Sequence, residues 1–103
     1  TSLESRKDYL HIDDAVALIA RIALSGNVGI YNVASGEGVT NGEIARALAA
    51  EMGFDVSVAP EAPTWEFTAI DMSQAKAHFA FSPQAFSDYF PAYLRDYRRH
   101  HSA

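Results

Sequence analysis

Arg6-Lys7-Asp8-Tyr9-Leu10-His11-Ile12-Asp13-Asp14 and Tyr31-Asn32-Val33-Ala34-Ser35-Gly36-Glu37-Gly38 are the stretches on which the fold of this 103-residue chain turns. Between them Val16, Ile19, Ile22 and Ala23 recur at helical spacing, and Asp13 or Asp14 supplies an N-cap. Gly26 is placed to end that helix in the left-handed conformation. Val28 to Val33 then reads as a short, mostly apolar strand, with Ala34 to Gly38 as a glycine-bearing turn. Next comes Thr40-Asn41-Gly42-Glu43, a capping box: Thr40 can accept from the Glu43 amide while Glu43 reaches back, and Val39 and Ile44 sit where a hydrophobic staple would close. Ile44, Leu48, Ala49 and Met52 make the buried stripe of this helix, and Gly53 ends it.

Downstream, Asp55 to Ala59 reads as a second strand with Val56 and Val58 on one face. Pro60 and Pro63 bracket a loop around Glu61 and Ala62. Trp65, Phe67 and Ala69 alternate with Glu66 and Thr68, the period of an extended segment. Asp71 or Ser73 caps a short helix carrying Ala75 and Phe79. Ser82-Pro83 opens the last helix, with proline at its first position and Phe86, Phe90, Leu94 and Tyr97 as its stripe. Pro91 falls inside that pattern and predicts a kink or a split. Two strands joined by a helix predict a parallel, right-handed crossover. The expected fold class is α/β, a small parallel two-stranded element packed with three to four helices. Such a sheet is a poor isolated core.

Bulk properties narrow the function. At this length a single core is feasible, but roughly 60–65% burial of the unfolded surface gives modest stability. The apolar fraction of 49% is that of a globular chain. A net charge of −5 and a pI near 5.2 argue against a nucleic-acid partner. The basic cluster of Arg95, Arg98, Arg99, His100 and His101 fits a helix C-terminus instead. No apolar run approaches a membrane span and no signal peptide is visible, so no membrane partner is expected. Thr1 in place of Met suggests a processed or excised chain. The absence of cysteine removes disulfides and thiolate metal sites, and fits a cytoplasmic setting.

Several residues invite chemistry and have plainer explanations. His11, between Leu10 and Ile12, is expected as a packing residue rather than a general base. Adjacent Asp13 and Asp14 point about 100° apart on a helix, so a cap with a first-turn acid explains them better than a metal pair. Ser35-Gly36-Glu37-Gly38 lacks the spacing and the Lys-Ser/Thr ending of a phosphate loop. Arg6 and Lys7 are either a solvated pair or an anion contact. Trp65 and Phe67 either line a pocket or pack on the final helix, the latter favoured.

From about Arg6 to Tyr97 these motifs resemble the extended short-chain dehydrogenase/reductase family, the NAD-dependent sugar epimerases and dehydratases. Its first motif usually reads Arg-Asp-Phe/Tyr-Ile-His-Val-x-Asp. Asp8, Tyr9, Leu10, His11, Ile12 and Asp14 match, with Lys7 in the arginine position. The resemblance implies that this position contacts a substrate diphosphate, where Lys7 lacks the bidentate fork and Arg6 could reach round. Asp71-Met72-Ser73-Gln74-Ala75-Lys76-Ala77 matches a second element, Asp-x-Ser-Lys-Ala, with one substitution. His78 to Pro83 follows in the place of the last, with Phe81 where tryptophan is common. The family's Arg-x-Gly-Asp is gone, and by count its arginine falls near Glu61, whose charge would repel phosphates. The glycine-rich dinucleotide fingerprint and the catalytic Tyr-x-x-x-Lys are missing, since Tyr31 is followed four positions on by Ser35.

The resemblance therefore implies that residues 1–103 are a single C-terminal substrate-side domain of a larger enzyme. This would be the substrate-binding part of an NAD-dependent nucleotide-sugar epimerase/dehydratase-like protein, not catalytic alone. Lys7, Arg6 and Trp65 are its candidate substrate-binding residues, with no catalytic, cofactor or metal residue in the chain. NAD(P) belongs to the parent, whose substrate is a small molecule such as a sugar, and a second copy is a candidate partner. Two alternatives stand beside it: a relative acting on a non-nucleotide substrate, and a non-catalytic interaction module.

Overall fold

The computed structural model describes residues 1–25 and 29–101. Its elements are β1 (Arg6–Asp8), α1 (Ile12–Ser25), β2 (Gly38–Thr40), α2 (Asn41–Met52), α3 (Ser73–Phe79) and α4 (Phe86–His101). The architecture is mixed α/β, as expected, but the sheet is not the expected one. β1 and β2 pair antiparallel, with Arg6 opposite Thr40, Lys7 opposite Val39 and Asp8 opposite Gly38.

The anticipated parallel pair, Val28–Val33 with Asp55–Ala59, is absent among the described residues. Gly26 and Val28 lie outside them, and Ile30–Val33 is not assigned to a strand. Asp55–Ala59 likewise forms no strand. Parallel pairing is slightly the weaker of the two and occurs almost only in sheets covered on both faces. The antiparallel pair forms because Asp8 grips the turn just before β2. Its Oδ1 accepts from the Ser35 amide at 2.9 Å and its Oδ2 from the Gly36 amide at 2.8 Å.

Local signals hold at α2. Thr40 Oγ1 accepts from the Glu43 amide at 3.1 Å, and the Thr40 amide donates to Glu43 Oε2 at 2.7 Å. Gly53 closes the helix in the left-handed region at φ 70°, its amide reaching Ala49 O. Elsewhere the boundaries move. α1 starts at Ile12, and His11 Nδ1 accepts the Asp13 amide at 3.1 Å, so the imidazole caps in place of Asp13 or Asp14. Asp14 instead accepts the Gln84 amide at 2.9 Å, tying α1 to the chain entering α4. α4 begins at Phe86, beyond Pro83, and runs unbroken through Pro91. The carbonyl that Pro91 deprives of a donor belongs to Ser87, which is exposed and can be hydrated.

Leu18, Ala34, Met72, Ala75 and Phe79 form the core, with Ile22, Tyr31 and Phe81 packed against it. Of the expected α1 stripe, only Ile22 joins it, while Val16 and Ile19 remain 57% and 54% exposed. Leu18 and Ile22 lie one turn apart on a second apolar face, which α3 takes. α2 packs along α4, where Arg95 Nη1 meets Glu51 Oε1 at 2.8 Å and Arg98 Nη1 donates to the Glu51 carbonyl at 3.1 Å. Part of the basic cluster thus serves the end of α2 as well as its own helix.

The molecule is a slab of 47 × 35 × 15 Å with a radius of gyration of 16.4 Å. A compact domain of this length has about 13 Å. Among the described residues no helix is long and apolar enough to cross a membrane.

Two stability outcomes follow from the caps. Thr40→Ala removes the acceptor for the Glu43 amide and lowers stability by about 1 kcal/mol, read as a denaturant midpoint. Asp71 Oδ1 accepts the Ser73 amide at 2.9 Å ahead of α3, and this bond, with a lesser one to the Ser73 side chain, holds its pKa below the ordinary 3.8. A carboxylate with a depressed folded pKa stabilises above its unfolded value and loses that contribution as pH falls through the folded one. The midpoint difference between the wild type and Asp71→Asn therefore shrinks on acidification below about pH 4. The N-cap position of α3 is Met72, with no side-chain cap, rather than the expected Asp71 or Ser73, and a pH-independent difference would show that the Asp71–Ser73 bond carries no charge dependence.

Candidate functional site

Strand alternation separates the two candidate cations. Lys7 lines a hollow of about 400 Å³ together with Asp8, Glu37, Gly38 and the Phe67–Ile70 segment. Arg6 lines another, of about 750 Å³, with Arg46, Phe54 and Val56 among its walls. There its guanidinium stands 4.0 Å from Glu66, an exposed and weak pair. The structure thus does not bring Arg6 and Lys7 to one ligand.

The 65–70 segment reaches the strand through backbone bonds. Arg6 donates its amide to Trp65 O at 2.9 Å, and the Trp65 amide donates to Ser5 Oγ at 2.9 Å. Ser5 is almost fully buried, so this is a fixed point. Phe67 is carried into the Lys7 hollow and Trp65 is not. Both rings are exposed, 54% for Trp65 and 62% for Phe67, and neither packs away against the final helix. Extended backbone without a sheet behind it cannot bury alternate side chains.

Glu61 also falls elsewhere. It stands on an exposed turn whose following residues are tied to the N-terminus by the Ser2 amide donating to Pro63 O at 2.8 Å. Two acids do share the hollow with Lys7: Asp8, whose carboxylate is taken up by the Ser35 and Gly36 amides, and Glu37. Sequence reasoning treated Glu37 as a turn residue; the signal was its place one residue before β2, opposite the Lys7 strand. At about 5 Å and an effective dielectric of 20, two like unit charges repel by about 3 kcal/mol, so Glu37 opposes a multiply charged anion at this spot.

The glycine turn itself is occupied. Gly36 sits at φ 84°, where an added Cβ would come within 3.2 Å of Met72 Cγ. The amides of Ser35 and Gly36 are spent on Asp8, and the chain continues into β2 rather than a helix N-terminus. Nothing here is free to cradle a pyrophosphate. These residues do not fit NAD.

The remaining polar side chains are structural. Beyond its cap, His11 packs edge-on against Tyr89 with ring centroids 5.0 Å apart. Burial first, and then the charges of Asp8 and Asp14 and the nearby Tyr9, raise the Tyr89 hydroxyl above its usual 10.0. Tyr31 Oη and His78 Nδ1 share a hydrogen bond of 2.7 Å that joins the extended segment to α3.

No protein-family model matches the chain, and no curated protein sequence does either. Solved structures do. The dTDP-glucose 4,6-dehydratase of Bacillus anthracis str. Ames, in complex with NAD, superposes with a TM-score of 0.78 at 21% identity. The match covers 96% of this chain and 33% of that one. UDP-glucose 4-epimerase from Bifidobacterium longum, in complex with NAD+ and UDP, gives 0.72 at 19% identity, covering 95% and 31%. At such identities the likeness establishes the fold. The chain spans about a third of the length of these enzymes.

Because Asp8 alone satisfies the amides of both Ser35 and Gly36, Asp8→Ala is expected to cost about 1–3 kcal/mol, and Asp8→Asn less. Urea titrations compare them, and equal midpoints for all three proteins would show that the turn holds itself.

Proposed function

We propose that this chain is the substrate-side part of an NAD-dependent sugar epimerase/dehydratase-like protein, binding and orienting substrate without performing the redox step. The observation that carries the reading is the superposition on a dTDP-glucose dehydratase over 96% of the chain. The slab shape and the exposed α1 face of Ile12, Val16 and Ile19 support it, since both suit a layer of a thicker molecule.

Within that assembly Lys7 supplies the cation that meets an acidic group of the substrate, and Phe67 supplies an apolar wall. NAD, held by another part of the protein, would supply the hydride acceptor. On this reading the transfer belongs to that other part and not to residues 1–103.

A second reading, with a substrate that is not a nucleoside diphosphate sugar, is favoured by one feature. The hollow at Lys7 offers a single cation beside Glu37 and Asp8, whereas a diphosphate carries more than one charge.

Calorimetry with millimolar NAD tests the first reading. The isolated chain is expected to give no saturable heat, whereas a polypeptide extended upstream in its coding sequence binds NAD and interconverts a sugar substrate. One-to-one NAD binding by the isolated chain, or an upstream region with no dinucleotide-binding fold, would overturn it.

A further inference from the structure

Three charged residues line the hollow at Lys7, and two of them, Lys7 and Glu37, have no partner for their charged ends among the described residues. Among the described residues the Lys7 ammonium makes no ion pair or hydrogen bond, and neither does the Glu37 carboxylate. They line one hollow without closing on each other. Asp8, the other acid there, already accepts the Ser35 and Gly36 amides. Thr68 adds a hydroxyl, and Phe67, Ala69 and Ile70 add apolar surface. At about 400 Å³ the space falls in the range of small-molecule sites.

Each free group specifies a complement. An ammonium has three donors and no acceptor, so it asks for an anion. An ionised carboxylate only accepts, so Glu37 asks for hydroxyl or amine hydrogens. Lys7 can neutralise one negative charge, and a second would meet Glu37. An exposed phenyl ring favours a ligand with an apolar face, such as the C–H face of a sugar ring.

We propose that this hollow binds a small hydroxylated monoacid, with Lys7 holding its carboxylate, Glu37 accepting from its hydroxyl groups and Phe67 with Ile70 covering its apolar face. The proposal rests on the second reading above, that the substrate is not a nucleoside diphosphate sugar. It adds a charge, a functional group and an orientation. A ligand so held turns its hydroxyl-bearing side toward Glu37 and leaves its outer edge open to solvent or to a covering domain.

The test is an amide-shift titration of the full 103-residue chain by NMR, with D-glucuronate, D-glucose and uridine diphosphate as probes. Glucuronate is expected to give saturable shifts confined to Lys7, Glu37–Gly38 and Phe67–Ile70, with glucose and uridine diphosphate much weaker. Lys7→Ala weakens glucuronate by about tenfold or more, the loss of one charged hydrogen bond. Glu37→Gln has opposite signs on two probes: it weakens glucuronate and strengthens uridine diphosphate. No saturable shift with glucuronate, glucuronate binding indifferent to Lys7→Ala, or tighter binding of uridine diphosphate by the wild type would each overturn the proposal. The last result would leave the enzyme-part reading intact. Conversely, an upstream region without a dinucleotide fold would remove that reading without altering these shifts.

Discussion

The Asp8 carboxylate gripping the amides of Ser35 and Gly36 is the contact on which the rest of this structure hangs. It joins positions far apart in the chain at the end of a strand of only three residues. By fixing the turn it delivers Gly38–Thr40 to the side of Arg6–Asp8 in one register, and the last residue of that strand is the N-cap of α2. Gly36 can follow because it accepts a positive φ, and Met72 then fills the space where a side chain would have stood. One charged acceptor thus sets the sheet, orients a helix and seats the core methionine.

With few fully buried apolar side chains (Leu18, Ala34, Met72, Ala75 and Phe79 in one cluster, Val39 and Leu94 outside it), polar ties hold much of what remains. The clearest join elements that apolar contact alone would leave loose: Asp14 to the Gln84 amide, Arg95 and Arg98 to Glu51, Trp65 to Ser5 Oγ. Such bonds contribute about 1 kcal/mol each, so geometry here is maintained by distributed, individually weak links rather than by one dense interior.

How legible this was in the sequence depended on range. The Thr40–Glu43 box and the Gly53 stop were readable because all their partners lie within a few residues, and they appear as expected. The strand pairing was not, because it depends on Asp8 finding a turn that lies beyond the whole of α1. The α1 stripe was half legible: the periodicity was right, but the helix has two apolar faces, and sequence cannot say which of them meets α3. In the candidate site, Lys7 was readable through a family resemblance. Its separation from Arg6 follows from simple alternation along a strand, once β1 is known to be one. Glu37 was hidden by its place in a turn, and Glu61 stands on an exposed turn apart from the Lys7 hollow.

The exposed apolar side chains of Ile30 and of the α1 face formed by Ile12, Val16 and Ile19 bear on how the chain fares in a cell. Chaperones recognise exposed apolar side chains, so such a surface marks a chain for triage. A partner surface that covered these side chains would remove the mark. The abundance of the chain is thereby coupled to the presence of its cover, and a shortage of that cover would be felt as turnover before it was felt as lost binding.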